Sequence, residues 1–309
     1  MGLVAFILGL AVIWLAATFV VDSGIKIARS LNLSGAFIGL TILSIGTSLP
    51  EIFMHIFASI DILNGIDASG VAVGTNIGSN MIQITFIMGF IGLLTKVRAS
   101  RKILTQDYII MLASILLLFF ISLDGRVGQV EGAVIALAYV GYLFILSGKE
   151  KKLEKSRFRA NYLKEGSIIL FGFIALSIAA NTVVFNAVKF SEIWGISGSF
   201  IGAMMIGVTT ALPELTTALI GILRGSPGIS LGTLVGSNIT NPMFSLGIGA
   251  AISGYSIEKT ILFYDIPFWF FGSLVPLFFF WNKKYLDKWQ ALAMIGIYVT
   301  YGWFRFRFL

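Results

Sequence analysis

Two glutamates each follow a proline inside an apolar stretch, Pro50-Glu51 and Pro213-Glu214. A proline within a helix has no N–H to donate, and its ring clashes with the carbonyl four residues back. The carbonyls of Gly46 and Thr209 are thereby freed, and Thr47, Ser48, Thr209 and Thr210 cluster in the same two broken turns. An ionised carboxylate in the middle of an apolar span costs several kcal/mol unless it is paired. No Lys or Arg lies within either stretch to pair with it, so the partner must be mobile: a metal cation or a proton. Carboxylates, carbonyls and hydroxyls are hard donors suited to Ca²⁺, and carboxylate with carbonyl also suits Na⁺. A calcium ion takes about 6–8 oxygens, which two carboxylates, carbonyls around Thr47 and Thr210, and water can supply.

A second pair of segments carries Gly78-Ser79-Asn80 and Gly236-Ser237-Asn238, each followed by an amide four residues after its serine, Gln83 and Asn241. Positions i and i+4 share a helix face. Ser79 with Gln83, and Ser237 with Asn241, can therefore point at one cavity, while the glycines let helices pack closely. Read structurally, the same residues are glue between helices; their occurrence twice at matching places favours a site.

The elements that position these groups are membrane spans. Of the 309 residues, 57% are hydrophobic and 12% charged, against about 45–50% and about 25% in soluble domains. Several apolar runs exceed the roughly 20 residues that cross a bilayer. The chain has no cysteine and one histidine, which excludes disulfides, thiolate chemistry and a zinc site. Its net charge of +7 sits between apolar runs, a topological pattern and not a nucleic-acid footprint. Ten spans are expected, at 3–22, 35–59, 70–95, 106–122, 131–148, 166–188, 198–223, 228–253, 260–281 and 289–304. The first is read as a true span rather than a cleaved signal. With both termini outside, 17 of the 22 basic residues fall in inner loops, leaving Arg126, Lys189, Lys259, Arg305 and Arg307 outside. The polar segment 149–165 divides the chain into 1–148 and 166–309, five spans each.

The two halves repeat. IGLTILSIGTSLPE at 38–51 matches IGAMMIGVTTALPE at 201–214, and GVAVGTNIGSNMIQITFIMG at 70–89 matches GISLGTLVGSNITNPMFSLG at 228–247. Five spans is an odd number, so the second copy enters the membrane in the opposite direction. Inverted repeats of this kind typify secondary transporters, with the site near the midplane where the repeats meet. The expected fold is thus an all-α integral membrane protein of ten helices, two inverted five-helix repeats with helices 2 and 7 broken.

GTSLPE at 46–51, TTALPE at 209–214 and the two GSN segments resemble the α-repeats of the cation/calcium exchanger superfamily, nearest to its prokaryotic sodium/calcium exchangers. The resemblance covers the whole chain. It implies a secondary antiporter, not an enzyme, that exchanges Ca²⁺ for Na⁺ in a cell membrane by alternating access, with no cofactor and no obligate protein partner. It further implies that Glu51 and Glu214 are shared by calcium and sodium. Thr47 and Thr210 would offer calcium their carbonyls, and Ser48, Ser79 and Ser237 would serve flanking sodium sites. Gln83 and Asn241 fall where the family places central amide or acid side chains, and spans 1 and 6 would be sliding gates. Four positions depart from the pattern: Thr209 for glycine, Ala211 for serine, Gln83 for asparagine, and Asn241 for the aspartate of some members. The calcium carboxylates are intact; the sodium stoichiometry and the counter-ion are left open. A Ca²⁺/H⁺ antiporter using the same two glutamates is the alternative. A channel is disfavoured by the inverted repeat, and a membrane enzyme by the absence of a nucleophile or metal constellation.

Other polar residues are read more plainly. His55, one turn after Glu51, is expected near the outer end of its span, touching water or a neighbour. Asp265 is expected at the interface, and Asp61 and Asp67 in a solvated outer loop. Asn181 and Asn186 suit either a permeation path or helix contacts. Phe268 to Phe271 and Phe278 to Trp281 are expected to face lipid.

Overall fold

A computed structural model describes residues 2–101, 103–150, 158–193, 210–283 and 285–308, with side chains except at 2–6, 10, 180–193 and 308. The seventh-span residues before Thr210, with Thr209 among them, residues 151–157 of the 149–165 linker and the side chains of Asn181 and Asn186 lie outside the described residues.

The chain is mostly helical. Helix α1 (Gly2–Leu31) is followed by α2 (Gly35–Thr47) and α3 (Leu49–Leu63), which meet at a bend of 43°. Ser34 starts α2 as its N-cap, accepting from Phe37 N–H at 3.1 Å. The bend falls at Ser48, whose backbone (φ −82°, ψ 4°) leaves the helical region, and Pro50 then sits in the first turn of α3, where its missing N–H costs nothing. The break expected from Pro50 is thus a helix end and a new start. Pro213 stands equivalently at the start of α8 (Leu212–Leu223).

Next come α4 (Ser69–Leu94), α5 (Ile103–Asp124) and α6 (Gln129–Lys149), then α7 (Tyr162–Ile193), and after α8 come α9 (residues 227–253), α10 (Ile261–Lys283) and α11 (Lys288–Phe308). Among the described residues, six helices are long and apolar enough to cross a membrane, and the bent α2–α3 pair makes a seventh. Helix α9 is more polar because Ser230, Thr233, Ser237, Asn238, Thr240, Asn241 and Ser245 are all buried in it. Helix α11 carries Lys288, Arg305 and Arg307 at its ends. Two short strands, β1 (Arg126–Val127) and β2 (Tyr255–Ser256), pair antiparallel with Val127 opposite Tyr255.

The sequence repeat has a local structural counterpart. Five-residue π-helical turns begin at Gln83 in α4 and at Asn241 in α9, and again at Ile103 in α5 and Ile261 in α10, each of the latter ending on a buried aspartate, Asp107 and Asp265. Single π turns inside helices often mark functional sites. Tyr142 donates to Asp107 at 3.3 Å and Tyr301 to Asp265 at 2.8 Å.

Asp265 is enclosed by protein. It is 1% exposed and ion-paired with Arg305 at 3.2 Å, because α11 packs its polar end over the start of α10. The aromatic runs of α10 are also split by helix periodicity: Phe271, Phe278 and Trp281 are exposed, whereas Trp269 and Phe280 are fully buried.

Two packing features bring the polar segments together. Helices α1 and α7 lie along each other, with Ala17, Val20 and Val21 in one apolar cluster with Phe173 and Leu176, which also takes in Ile38 and Leu43 of α2, Ile220 of α8 and Ile229 of α9. The glycines at 228, 232 and 236 form a stripe on α9 that receives α2 at backbone contact: a Cβ on Gly39 would lie 2.9 Å from the Cα of Gly232. That approach sets Ser237 beside Thr47.

Candidate functional site

Glu51 and Glu214, each in the first turn of the helix that follows its proline, are both fully buried. They lie close enough for their charges to act on each other. Thr47, Ser48, Ser79, Gln83, Ser237 and Asn241 are likewise without solvent exposure, and Thr210 is half-buried. The bend at Ser48 aims the start of α3 inward. The glycine stripe brings α9 against it, and α4 supplies the third wall.

The contacts cross between the halves. Ser79 donates to Oε1 of Glu51 at 3.0 Å, and Ser237 reaches Oε1 of Glu214 at 3.4 Å. Thr47, from the first half, comes into range of the Glu214 carboxyl, and Thr210, from the second, into range of Glu51. The Thr47 hydroxyl is 3.0 Å from the carbonyl of Leu43 and 3.5 Å from Ser237 Oγ. The Ser48 hydroxyl, Oε2 of each glutamate and Oδ1 of Asn241 have no partner at full hydrogen-bond geometry, although all four are buried. Buried polar atoms are normally satisfied. Carboxylate, hydroxyl and amide oxygens left over in this way are donors of the kind a hard cation takes. Among the described residues no Lys or Arg pairs with either glutamate.

Gln83 and Asn241 behave differently. Gln83 Nε2 donates to Ser79 Oγ at 3.1 Å, the expected one-turn pair, while its Oε1 accepts from Asn238 at 3.0 Å. Trp269 donates its indole N–H to Oδ1 of Asn238 at 3.1 Å. An indole is donor-only, so it fixes the amide of Asn238, which fixes that of Gln83, which leaves Ser79 free to donate to Glu51. Asn241 does not pair with Ser237; its amide nitrogen crosses to Oδ1 of Asn80 at 3.1 Å. Trp269, Asn238, Asn80 and Asn76 belong to this polar cluster, and sequence reasoning did not single out their contacts. The GSN repeat contains two of these residues; nothing local marks Trp269.

His55 is fully buried and touches neighbours rather than water, held by Tyr255 and Asn76. Asp61 and Asp67 are exposed as expected, but Asp61 lies in the last turn of α3 rather than in the loop, because the helix runs on to Leu63; Asp67 is in the loop and caps the start of α4 through Ser69 N–H at 3.2 Å.

Comparison with known proteins gives a consistent picture. A family model described as sodium/calcium exchanger protein matches residues 1–148 and 166–307. The sodium/calcium exchanger MaX1 of Methanosarcina acetivorans is 26% identical, over 96% of this chain and 95% of its own. The inner membrane protein YrbG of Escherichia coli is 28% identical, over 96% and 92%. The solved structure of the sodium-calcium exchanger NCX_Mj soaked with Na⁺ and Sr²⁺ superimposes with a TM-score of 0.83 at 25% identity, covering 97% of this chain and 96% of that one.

Proposed function

Because the chain belongs to the sodium/calcium exchanger protein family, whose members move ions rather than transform substrates, we propose that it is a secondary antiporter exchanging Ca²⁺ for Na⁺ across a cell membrane by alternating access. The observation that carries this reading is the pair Glu51 and Glu214: two buried carboxylates in one polar cluster, with no Lys or Arg among the described residues to neutralise them. Two negative charges match one divalent ion or two or more monovalent ions, so the two loads compete for the same oxygens. Each carboxylate spends one oxygen on a serine and keeps Oε2 for the cation. Ser48 and Asn241 add neutral oxygens, and Thr47 and Thr210 line the same space.

In this reading the ten spans form two inverted halves, and α1 and α7 are the gates. Their support is the sequence repeat, the matching π turns, and the long contact of α1 with α7. Both termini face outward, supported by the 17 inner and 5 outer basic residues. The absence of cysteine makes orientation testable by adding one at a time in 149–165. An impermeant thiol reagent applied outside should leave it unlabelled, and labelling from outside alone would reverse the orientation.

The direct test of function is calcium-45 flux in proteoliposomes driven separately by a sodium gradient and a pH gradient. Flux under the sodium gradient supports the exchanger; absence of calcium flux under both gradients rejects it.

A further inference from the structure

The chain holds a single histidine, His55, and it lies at one end of a run of hydrogen-bonded amides. Its surroundings fix its tautomer. Ser59 donates its hydroxyl to the carbonyl of Gly249 at 2.8 Å, and Tyr255 donates to the carbonyl of His55 at 3.0 Å. The phenol proton has the His55 carbonyl and Ser59 Oγ, at 2.9 Å, as acceptors, so the phenol oxygen, 3.1 Å from Nδ1, is left to accept; with Asn76 donating at Nε2, the ring proton belongs on Nδ1. Tyr255 is held there by the β1–β2 pair and by Gly249, where any side chain would overlap the phenol.

With Nδ1 protonated, Nε2 offers a lone pair. The atom facing it at 2.9 Å is Nδ2 of Asn76, which can only donate. The second N–H of that amide goes to the backbone carbonyl of Asn241 at 2.9 Å. Oδ1 of Asn76 then accepts from Asn80 Nδ2 at 3.1 Å, and Oδ1 of Asn80 accepts from Asn241 Nδ2 at 3.1 Å. The chain ends at Oδ1 of Asn241, buried and without a partner. Each amide has one direction because the one before it has been set. An Nε2–H would instead meet the Asn76 N–H donor to donor at 2.9 Å, and turning the Asn76 amide to relieve this would set its oxygen against the backbone carbonyl of Asn241. Either way the run through Asn80 is disturbed, and with it the bond that leaves the Asn241 oxygen, rather than its N–H groups, free for a cation.

We propose that His55, together with the backbone carbonyl of Asn241 and acting through Asn76 and Asn80, holds the direction of this amide chain and so is a positioning residue that keeps the Oδ1 of Asn241 available to the transported cation. The inference rests on the exchanger reading and on Asn241 as a cation ligand. The sequence repeat contains no second copy of the device: the position matching His55 is Ala218, and that matching Asn76 is Leu234.

Two measurements test it. The first is independent of transport. Protein labelled with ¹⁵N-histidine gives signals from His55 alone, and a neutral ring with Nδ1 protonated and Nε2 bare is expected; an Nε2–H tautomer overturns the proposal. The second is the KM for Ca²⁺ in proteoliposomes. Loss of an orienting partner behind a metal ligand weakens metal affinity roughly 10-fold or more, so His55→Leu and Asn76→Leu should raise KM by about that factor. His55→Gln puts an amide oxygen near the place of Nε2 and should restore it. Asn80→Leu cuts the chain elsewhere and should match the first two, which keeps the test open if position 55 variants misfold. Wild-type KM in the leucine variants, or equal loss in His55→Gln, rejects the relay. Wild-type vesicles without calcium flux reject the exchanger reading alone, and the imidazole signals still decide the tautomer.

Discussion

Ser79 donates to Glu51 at 3.0 Å, and the hydroxyl that does so is itself held by Gln83 from one turn farther along the same helix. The equivalent bond in the second half, Ser237 to Glu214, is 3.4 Å and has no such support. A hydrogen bond to a charged acceptor contributes about 1.5–3 kcal/mol, and O–H···O bonds weaken beyond about 3.0 Å. Ser79→Ala should therefore raise the KM for Ca²⁺ on the order of 10-fold, and Ser237→Ala clearly less. Initial rates of calcium-45 uptake over a concentration series make the comparison. Equal shifts would show that the two halves bind alike despite their geometry.

Glu51→Gln and Glu214→Gln should each abolish calcium transport while the protein remains monodisperse in detergent. Each removes half of the charge that neutralises a divalent ion in a dry site. A loss of about 3 kcal/mol or more corresponds to at least ~100-fold in affinity. Protonation has the same effect as the amide, since a neutral carboxyl no longer attracts the cation. Transport should accordingly fall as pH is lowered. Wild-type flux in either glutamine variant removes the carboxylates from the site.

The buried pair Asp265–Arg305 predicts a stability effect separate from transport. Arg305→Leu leaves Asp265 with only the Tyr301 hydroxyl, in a place that is 1% exposed. Breaking a buried ion pair costs about 3–5 kcal/mol, and the partial exposure of Arg305 reduces this to about 2–3 kcal/mol. The melting temperature in detergent should drop clearly. The double variant Asp265→Asn, Arg305→Leu should recover most of the loss, because no charge is then stranded. The KM for Ca²⁺ should not move in either.

Much of this site is legible in the sequence because its parts are local anomalies. A proline and an acid inside an apolar run have few explanations, and Glu51 and Glu214 fall together as that argument requires. The break at Ser48 follows from Pro50 for the same reason. What sequence reading misses depends on partners far along the chain. His55 is buried because Tyr255, 200 residues later, closes over it. Trp269 is core rather than lipid-facing because Asn238 needs a donor. Asp265 is buried because Arg305 arrives from the last helix. The π turns at Gln83 and Asn241 have no composition signal, since they depend on how α4 and α9 pack.

Calcium movement should be driven by sodium rather than by protons. A carrier of protons needs only the two glutamates, because a proton binds covalently to one oxygen. Sodium carries a single charge and needs several oxygen dipoles beside each carboxylate. The site is rich in them: Ser79 and Ser237 touch the carboxylates, Thr47 and Thr210 lie beside them, and the buried Ser48 hydroxyl has no other partner. A dry, purely protonic site would leave that hydroxyl unsatisfied at a cost of about 1–3 kcal/mol. Against this stands Ala211, which occupies the place of Ser48 in the second half and supplies no hydroxyl. Water can stand in for one missing donor at a cost of up to about 2 kcal/mol, so the expected result is weaker sodium affinity or an altered stoichiometry, with coupling retained. Ala211→Ser should then strengthen sodium activation, whereas Ser48→Ala should weaken it further. The measurement is calcium efflux from loaded proteoliposomes into sodium, potassium or choline medium at equal pH on both sides. Stimulation by sodium alone, graded in the order Ser48→Ala, wild type, Ala211→Ser, is the expected outcome. Efflux indifferent to sodium, together with strong uptake under an imposed pH gradient, would assign the two glutamates to proton exchange.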